Sequence, residues 1–378
     1  MKKIFITMLA GAAASATFAQ NPKIGKEIKA TKDFEQGMAI FNQQKDNLTD
    51  EDKGKAYDEL YKLAKEQANP TIEALSAGKT DVTPNYKAVM NAIEMAAASE
   101  KYASKNAKAN TEEIFPFRPV LINAANTTND DKEKLQYSLC YTNTAKAGDA
   151  NAGLAYYFAG YAYYQTKDYK NAAEYAKQAL TDDRIKEQAE QVYRVSLEQT
   201  LKTREDSINY VNVLKELNID KYFNQICGIY QEVGMNDQVT KLVEEAIAKN
   251  PNNKIAYFTR GSLNNSKKEY DAAKADFLKA TEIDPTFIQA WFNLGVSMSQ
   301  KGFDLNEKYS DKNGRIPTDK AAEVTACLKE AITYYEKVRD LDPNHEQISN
   351  WPMQLRMLYN ATGDKAKADE ISKMLGDN

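Results

Sequence analysis

The sequence predicts an all-α protein built from antiparallel helix pairs, and three observations support this. Residues that break helices are sparse, with 16 Gly and 10 Pro among 378 residues. Large aromatic residues are frequent and include 23 Tyr, which suits helices that pack on one another. Similar residues also recur every 34 positions, a spacing typical of stacked helix–turn–helix units. Because 42% of the residues are hydrophobic, the chain can bury a continuous core.

The composition also excludes several functions. The chain has 50 basic and 54 acidic residues, whereas non-specific nucleic-acid binding needs a basic excess. It has one histidine and no phosphate loop, CxxC or HExxH motif, so we expect no metal, no cofactor and no catalysis. Cys140, Cys227 and Cys327 are odd in number and lie in apolar helical patterns. They are therefore interpreted as small buried core residues.

The first 19 residues have the three parts of a cleavable export signal. Lys2 and Lys3 precede a short apolar run over 4–14, and small residues lead to a cleavage site after Ala19. No later stretch is apolar enough to span a bilayer. We therefore expect an exported protein, most simply located in the periplasm.

Residues 20–150 predict divergent helical hairpins. Thr49 precedes an acidic first turn and an apolar helical pattern, so a helix is expected to begin there. Thr83-Pro84 predicts a second helix start, with Pro at the first helical position. The sequence Phe115-Pro116-Phe117-Arg118-Pro119 interrupts the helices before a further stretch near 120–127.

The 34-residue period is clearest between 220 and 295. Four columns of similar residues keep the spacing: Phe223, Tyr257 and Trp291; Cys227, Gly261 and Gly295; Ala246 and Ala280; Pro251 and Pro285. An aromatic residue begins the first helix of each unit, and a small residue four positions later allows a close approach of the second helix. Proline then ends the unit.

This pattern resembles the tetratricopeptide repeat, and the resemblance covers about 151–378. The best unit is 254–287, which departs from the family at Arg260, usually Leu, and at Asn264, usually Tyr. The other expected units are about 153–186, 187–219, 220–253, 288–345 with an insertion, and 346–378 as a terminal cap. The insertion spans about 302–325. Its Asp311–Gly314 segment is interpreted as a turn, since the glycine and glutamate of a calcium loop are out of place.

The resemblance implies a right-handed superhelical solenoid in which the first helix of each pair lines a concave groove. The residues expected to face that groove and bind a partner are Tyr157, Tyr161, Tyr164, Asn224, Gln231, Phe258, Ser262, Asn265, Phe292, Ser299 and Gln300. They form a neutral surface of aromatic rings and amides, which suits an extended peptide. The Lys and Asn cluster with which some family members clamp a peptide carboxylate lacks its basic part here.

These observations favour a non-catalytic periplasmic scaffold that binds a protein or peptide of the cell envelope. Two alternatives stay open. The first is a glycan-binding or glycan-handling envelope protein, which exposed aromatic pairs or a groove tryptophan would favour. The second is a hydrolase that uses only carboxylates. Against it, paired acids such as Asp130-Asp131 and Asp182-Asp183 are expected to lie at helix starts.

Overall fold

A computed structural model describes residues 23–79, 83–146 and 148–376. The all-α prediction is confirmed: these residues form α-helices joined by turns and two 3₁₀ segments, with no β-strand among them. Within the same ranges, no helix is both long and apolar enough to cross a membrane. The proposed export signal lies outside the described residues. The chain divides into two compact units between Leu201 and Lys202, and each unit is described by itself.

The first unit contains ten α-helices within its described residues. They are α1 (Ile24–Thr31), α2 (Phe34–Gln44), α3 (Asp50–Ser76), α4 (Tyr86–Lys101), α5 (Ala107–Ile114), α6 (Pro119–Thr127), α7 (Asp131–Thr144), α8 (Ala152–Gln165), α9 (Tyr169–Ala179) and α10 (Lys186–Glu198). Nearly all consecutive helices pack on each other, and the packing is most extensive between α3 and α4 and between α8 and α9. Helices α1 to α7 share one hydrophobic core.

Side-chain caps decide where two of these helices begin. The predicted start at Thr49 is confirmed, because its hydroxyl accepts a hydrogen bond from the backbone N–H of Asp52 at the start of α3. The predicted start at Thr83-Pro84 is wrong by two residues. Helix α4 is instead capped by Asn85, whose side chain accepts from the N–H of Ala88 at 3.0 Å. Asparagine caps at least as well as threonine.

The predicted division between 150 and 151 falls inside the first unit. Ile122 of α6, Tyr141 of α7 and Ala155 of α8 form one buried apolar cluster across it. The loop at that point is also tied to α6, because the Arg118 guanidinium lies 3.0 Å from the Asp149 carboxylate. Apolar packing and an ion pair therefore join the divergent hairpins to the first regular repeat.

The second unit contains nine α-helices within its described residues. They are α11 (Arg204–Asn218), α12 (Phe223–Glu232), α13 (Asn236–Lys249), α14 (Lys254–Ser266), α15 (Tyr270–Ile283), α16 (Ile288–Tyr309), α17 (Thr318–Leu341), α18 (Trp351–Thr362) and α19 (Lys365–Leu375). Each helix packs on the next along the chain. The expected repeat 187–219 is therefore divided, since α10 belongs to the first unit and α11 to the second.

The insertion mainly lengthens two helices. Helix α16 has 22 residues and α17 has 24, whereas α14 and α15 have 13 and 14. Only 310–317 connects them as a loop. There the N–H of Gly314, which has a φ of 76°, donates to the carbonyl of Asp311. This is the turn that the sequence predicts.

A polar network replaces two family residues in the hairpin of α14 and α15. The Arg260 guanidinium donates to both oxygens of the buried Asp276 carboxylate, at 2.6–3.1 Å, and Asn264 donates to the same carboxylate at 3.0 Å. Gly261 lies between them in sequence, and a Cβ there would meet the Phe277 ring at 2.8 Å. Arg260 and Asn264 therefore depart from the family pattern together because they share one buried acid.

Candidate partner-binding site

The predicted groove residues occupy equivalent places in successive helix pairs. Three positions lie 12, 8 and 5 residues before the first residue of the second helix. They hold Tyr157, Tyr161 and Tyr164 in α8; Asn224, Gly228 and Gln231 in α12; and Phe258, Ser262 and Asn265 in α14. In a helix these spacings return to one face. Each helix therefore presents one stripe of three side-chain positions.

In the second unit, two such stripes meet in one pocket of about 330 Å³. Helix α12 contributes one wall, α14 the other, and the start of α16 closes one end. The pocket brings together four predicted residues, Asn224, Gln231, Phe258 and Ser262, and adds Cys227, Gly228, Ile255, Thr259, Phe287 and Gln289. A volume of this size accommodates a single large side chain of a ligand.

Phe258 is the aromatic centre of the pocket and is held from two sides. Its ring centroid lies 5.6 Å from that of Phe277 in α15 and 5.1 Å from that of Phe287, which caps α16. Ser262, one turn further along α14, donates its hydroxyl to the Phe258 carbonyl at 3.0 Å. The ring is half-buried. It therefore has a fixed orientation with one part open to a ligand.

The pocket carries no formal charge. All ten residues that line it are uncharged, and burial raises the pKa of the Cys227 thiol to about 12, so the thiol stays protonated. A cation does lie nearby, since Lys254 Nζ is 5.2 Å from the centre of the Phe287 ring. However, Lys254 forms an ion pair with the Asp284 carboxylate. The site thus offers apolar surface and amide groups to an uncharged ligand.

Two further predicted residues join neighbouring helix pairs. Asn265 of α14 donates its side-chain N–H to the Gln300 side-chain oxygen of α16 at 2.9 Å. The remaining Asn265 oxygen is buried without a hydrogen-bond partner in the structure. A buried acceptor of this kind is costly unless a donor reaches it. The pair therefore joins α14 to α16 at the end of the stripe.

Ser299 needs correction as a groove residue, whereas Phe292 is half-buried and stays a predicted groove residue. Ser299 is 4% exposed and donates its hydroxyl to the Gly295 carbonyl at 2.7 Å, so it belongs to the helix interior. The Phe292 ring packs edge-on against Tyr335 of α17 at 5.4 Å. Tyr335 of α17 therefore lies beside both side chains. Gln300 is the exposed member of this group.

The tyrosines of α8 form a different surface in the first unit. Tyr157 and Tyr161 lie 6.3 Å apart between ring centroids, and Lys134 Nζ lies 5.2 Å from the Tyr161 ring centre. Tyr164 packs against Tyr169 at 5.6 Å. All three predicted tyrosines are half-buried. Ring-to-ring packing therefore occupies much of the surface that was expected to face a partner.

Sequence reasoning missed several residues of the same stripe. Met353, Met357 and Asn360 of α18 also lie 12, 8 and 5 residues before the second helix of their pair, α19. Met353 and Met357 are 57% and 42% exposed. The weak repeat pattern of 346–378 hid them, although counting back from Lys365 would have found them. Gly228 was missed because glycine has no side chain to recognise.

The features that would favour other chemistry are engaged in structural roles. The Trp291 indole donates to the Pro285 carbonyl and its ring packs on Tyr334, while Trp351 is fully buried. Asp130 caps α7 as expected. Asp182 instead pairs with Arg184 at 2.6 Å, so its assignment to a helix start is wrong.

No group of three or more His, Cys, Asp or Glu side chains is arranged to hold a metal within the described ranges. The three cysteines are buried and unpaired, as predicted.

These observations define a helical-repeat protein, and comparison with known families narrows the class. Models of the tetratricopeptide repeat match residues 140–190 and 255–287. The second match coincides with α14 and α15, and the first covers α8 and α9 and begins in α7. The chain therefore contains tetratricopeptide repeats in these two segments. Such repeats are typical of protein-binding scaffolds without catalytic activity of their own.

Individual relatives are distant. Human tetratricopeptide repeat protein 28 is 26% identical over 107 residues, which are 28% of this chain and 4% of that protein. The human IFIT1 dimer with m7Gppp-AAAA is 14% identical. That comparison covers 95% of this chain and 74% of the IFIT1 chain, with a TM-score of 0.39. Yeast Tom70 is 15% identical, in a comparison that covers 92% of this chain and 91% of Tom70, with a TM-score of 0.26.

YrrB, described as a TPR protein with an unusual peptide-binding site, is 20% identical. That comparison covers 64% of this chain and 95% of YrrB, with a TM-score of 0.24. TM-scores this low transfer no function to the chain.

Proposed function

We propose that this protein is a non-catalytic adaptor that binds a protein or peptide segment along the stripe of α12 and α14. The observation that carries the proposal is the neutral pocket, in which Asn224, Gln231, Phe258 and Ser262 meet. Phe258 provides an apolar contact, while the amides are suited to hydrogen bonds with a peptide backbone. Because the helices are preformed, binding would cost little ordering of the adaptor.

The proposal is tested by site-specific photocrosslinking on mature protein. A photoreactive residue is placed at Gln231, and Phe258→Ala and Asn265→Ala are introduced separately. We expect one stoichiometric protein adduct, with the crosslink mapped to a peptide of that partner and reduced by both substitutions. Lys279→Ala, on the exposed surface of α15, is the matched control. Unchanged adducts in the two groove variants, with loss in the control, would place binding on the outer face.

We also propose that the protein is exported and acts in the bacterial cell envelope. The support is the pattern of Lys2, Lys3, the apolar run and Ala19. Mass spectrometry of the protein from fractionated cells tests this. The expected result is a periplasmic form that begins at Gln20. A cytoplasmic form that retains Met1 and Lys2 would contradict export without affecting the groove proposal.

A protein partner is preferred over a glycan because Trp351 is fully buried and Trp291 packs on Tyr334 and donates its indole N–H to the Pro285 carbonyl. A glycan array and an activity screen on cell-wall substrates separate the alternatives. Glycan binding that is lost in Tyr157→Ala but kept in Phe258→Ala would favour the glycan-binding reading. Turnover of a substrate would favour the carboxylate hydrolase.

A further inference from the structure

Gly228 lies in the middle of α12, where glycine is unfavourable. The helix runs from Phe223 to Glu232, and Gly228 is not among the glycines with positive φ. Its backbone conformation is therefore one that other residues adopt. Glycine at a helix interior costs about 0.5–1 kcal/mol relative to alanine. A structural or functional reason should offset this cost.

Close packing provides that reason for other helical glycines but not for Gly228. A Cβ at Gly261 would lie 2.8 Å from the Phe277 ring, and one at Gly295 would lie 2.7 Å from the Tyr335 ring. Both positions therefore exclude larger residues. At Gly228 a Cβ would meet no atom within 4 Å. The absent side chain leaves open space, and this space belongs to the pocket of α12 and α14.

We infer that Gly228 is a specificity-determining position, which keeps the pocket wall open for one uncharged, apolar side chain of the bound partner. This inference rests on the proposed function, since it names the chemistry that the same pocket selects. Apolar contact comes from Ile255, Phe258 and Phe287, all of which line the pocket.

Because the lining is uncharged, the pocket should prefer uncharged ligand side chains to charged ones. A ligand lysine or aspartate would lose water in the pocket without gaining an opposite charge from any residue that lines it. Lys254, which lies beside the Phe287 ring, is already paired with Asp284. A ligand phenylalanine or leucine loses only unfavourable hydration. The pocket should therefore discriminate against charged side chains and accept large apolar ones.

Capped amino acids are suitable probes because each presents one side chain between two peptide groups. N-acetyl-phenylalanine amide, N-acetyl-lysine amide and N-acetyl-aspartate amide are titrated separately into protein labelled at the isoleucine δ1 methyl groups. We expect millimolar binding of the phenylalanine probe, typical of so small a ligand, reported by a shift of the Ile255 methyl signal. The charged probes should bind at least about tenfold more weakly.

Two substitutions then test Gly228 itself. Gly228→Leu should weaken binding of the phenylalanine probe by about tenfold or more, since the new side chain fills the space. Gly228→Ala adds only one methyl group and preserves the fold, so it should weaken binding of the phenylalanine probe less. Glu232→Leu adds the same leucine elsewhere on α12, outside the pocket lining, and should leave binding unchanged. Thermal unfolding of each variant verifies that the fold is retained.

The outcomes separate the two proposals. If Gly228→Leu binds the phenylalanine probe as wild type does, or if the wild type shifts no signal at about 20 mM probe, the inference is overturned. If Phe258→Ala still abolishes the photocrosslinked adduct in that case, the groove proposal stands without the role of Gly228. Equal binding of the three probes would also overturn the inference, because the pocket would then have no selectivity for apolar side chains.

Discussion

The hairpin of α8 and α9 and the hairpin of α14 and α15 share one register but are held together by different chemistry. Ten residues before the second helix, the first hairpin has the buried Ala159 and the second has Arg260. Six residues after the start of the second helix, the first has Tyr175 and the second has Asp276. Tyr175 packs against Tyr156 and Tyr163, whereas Asp276 binds Arg260.

The same contrast extends to the stripe that was expected to bind a partner. In α8 the stripe consists of tyrosines that pack on neighbouring rings. In α12 and α14 it consists of amides, Phe258 and Gly228, which leave a pocket. A repeat register therefore fixes where a side chain lies, while the size and polarity of its neighbours decide whether a site is present.

The largest expected effect is the loss of the buried acid in the second hairpin. Asp276→Ala should lower the free energy of unfolding by about 2–4 kcal/mol, because the Arg260 guanidinium loses its partner while its side chain stays largely shielded. Urea unfolding followed by circular dichroism measures this. The double variant Arg260→Met with Asp276→Leu should recover most of the loss. A loss below about 0.5 kcal/mol for Asp276→Ala would show that the network is dispensable.

Glycine-to-alanine substitutions should change the free energy of unfolding in opposite directions in the two units. Gly160→Ala should destabilise by about 1–3 kcal/mol, because its Cβ would lie 2.9 Å from the backbone nitrogen of Ala176 in α9. Gly228→Ala should instead stabilise by about 0.5–1 kcal/mol, because it gains helix propensity in open space. Both are measured by urea unfolding against wild type. Stabilisation by Gly160→Ala would contradict close packing of α8 on α9.

Substitutions at two neighbouring residues of α16 should have smaller effects, which distinguish a buried position from a groove position. Ser299→Ala should cost about 0.5–1.5 kcal/mol through the lost hydrogen bond to Gly295, and should leave partner capture unchanged. Gln300→Ala is the matched groove variant, since Gln300 accepts from Asn265 and is exposed. Quantitative crosslinking at Gln231 measures both. Reduced capture in Ser299→Ala alone would restore Ser299 as a binding residue.

The smallest expected effect is electrostatic and lies at the rim of the pocket. Hydrogen bonds from Lys254 and Thr286 lower the pKa of the Asp284 carboxyl to about 2 from its ordinary 3.8. Because the pKa is lowered in the folded protein, the ionised carboxyl stabilises the fold at pH values above its ordinary pKa of 3.8. This contribution is lost as the pH falls through about 2. Carbon-13 NMR titration of the Asp284 carboxyl measures the shift. In Lys254→Ala the pKa should rise toward 3.8; an unchanged value would exclude Lys254 as its main cause.

Several features followed directly from local sequence. The 34-residue spacing predicted the helix pairs near 153–186 and 254–287, because regular patterns of small and aromatic residues report helix contacts. It also indicated that Asn224, Gln231, Phe258 and Ser262 share a stripe. Ser299 could not be judged in this way, because its burial depends on α17, about 30 residues away in the chain. Gly228 was equally hidden, since open and closely packed glycines look the same in a sequence.

By itself, the sequence determined the helical class, the repeat register and the neutral character of the second-unit stripe, because these depend on residue type and spacing along one chain. Only the tertiary structure decided which members of the stripe are accessible. It paired Arg260 with Asp276, buried Ser299 and left Gly228 open. The physical reason is that exposure and ion pairing depend on which helices approach one another, and packing at van der Waals distance joins residues that are far apart in the chain.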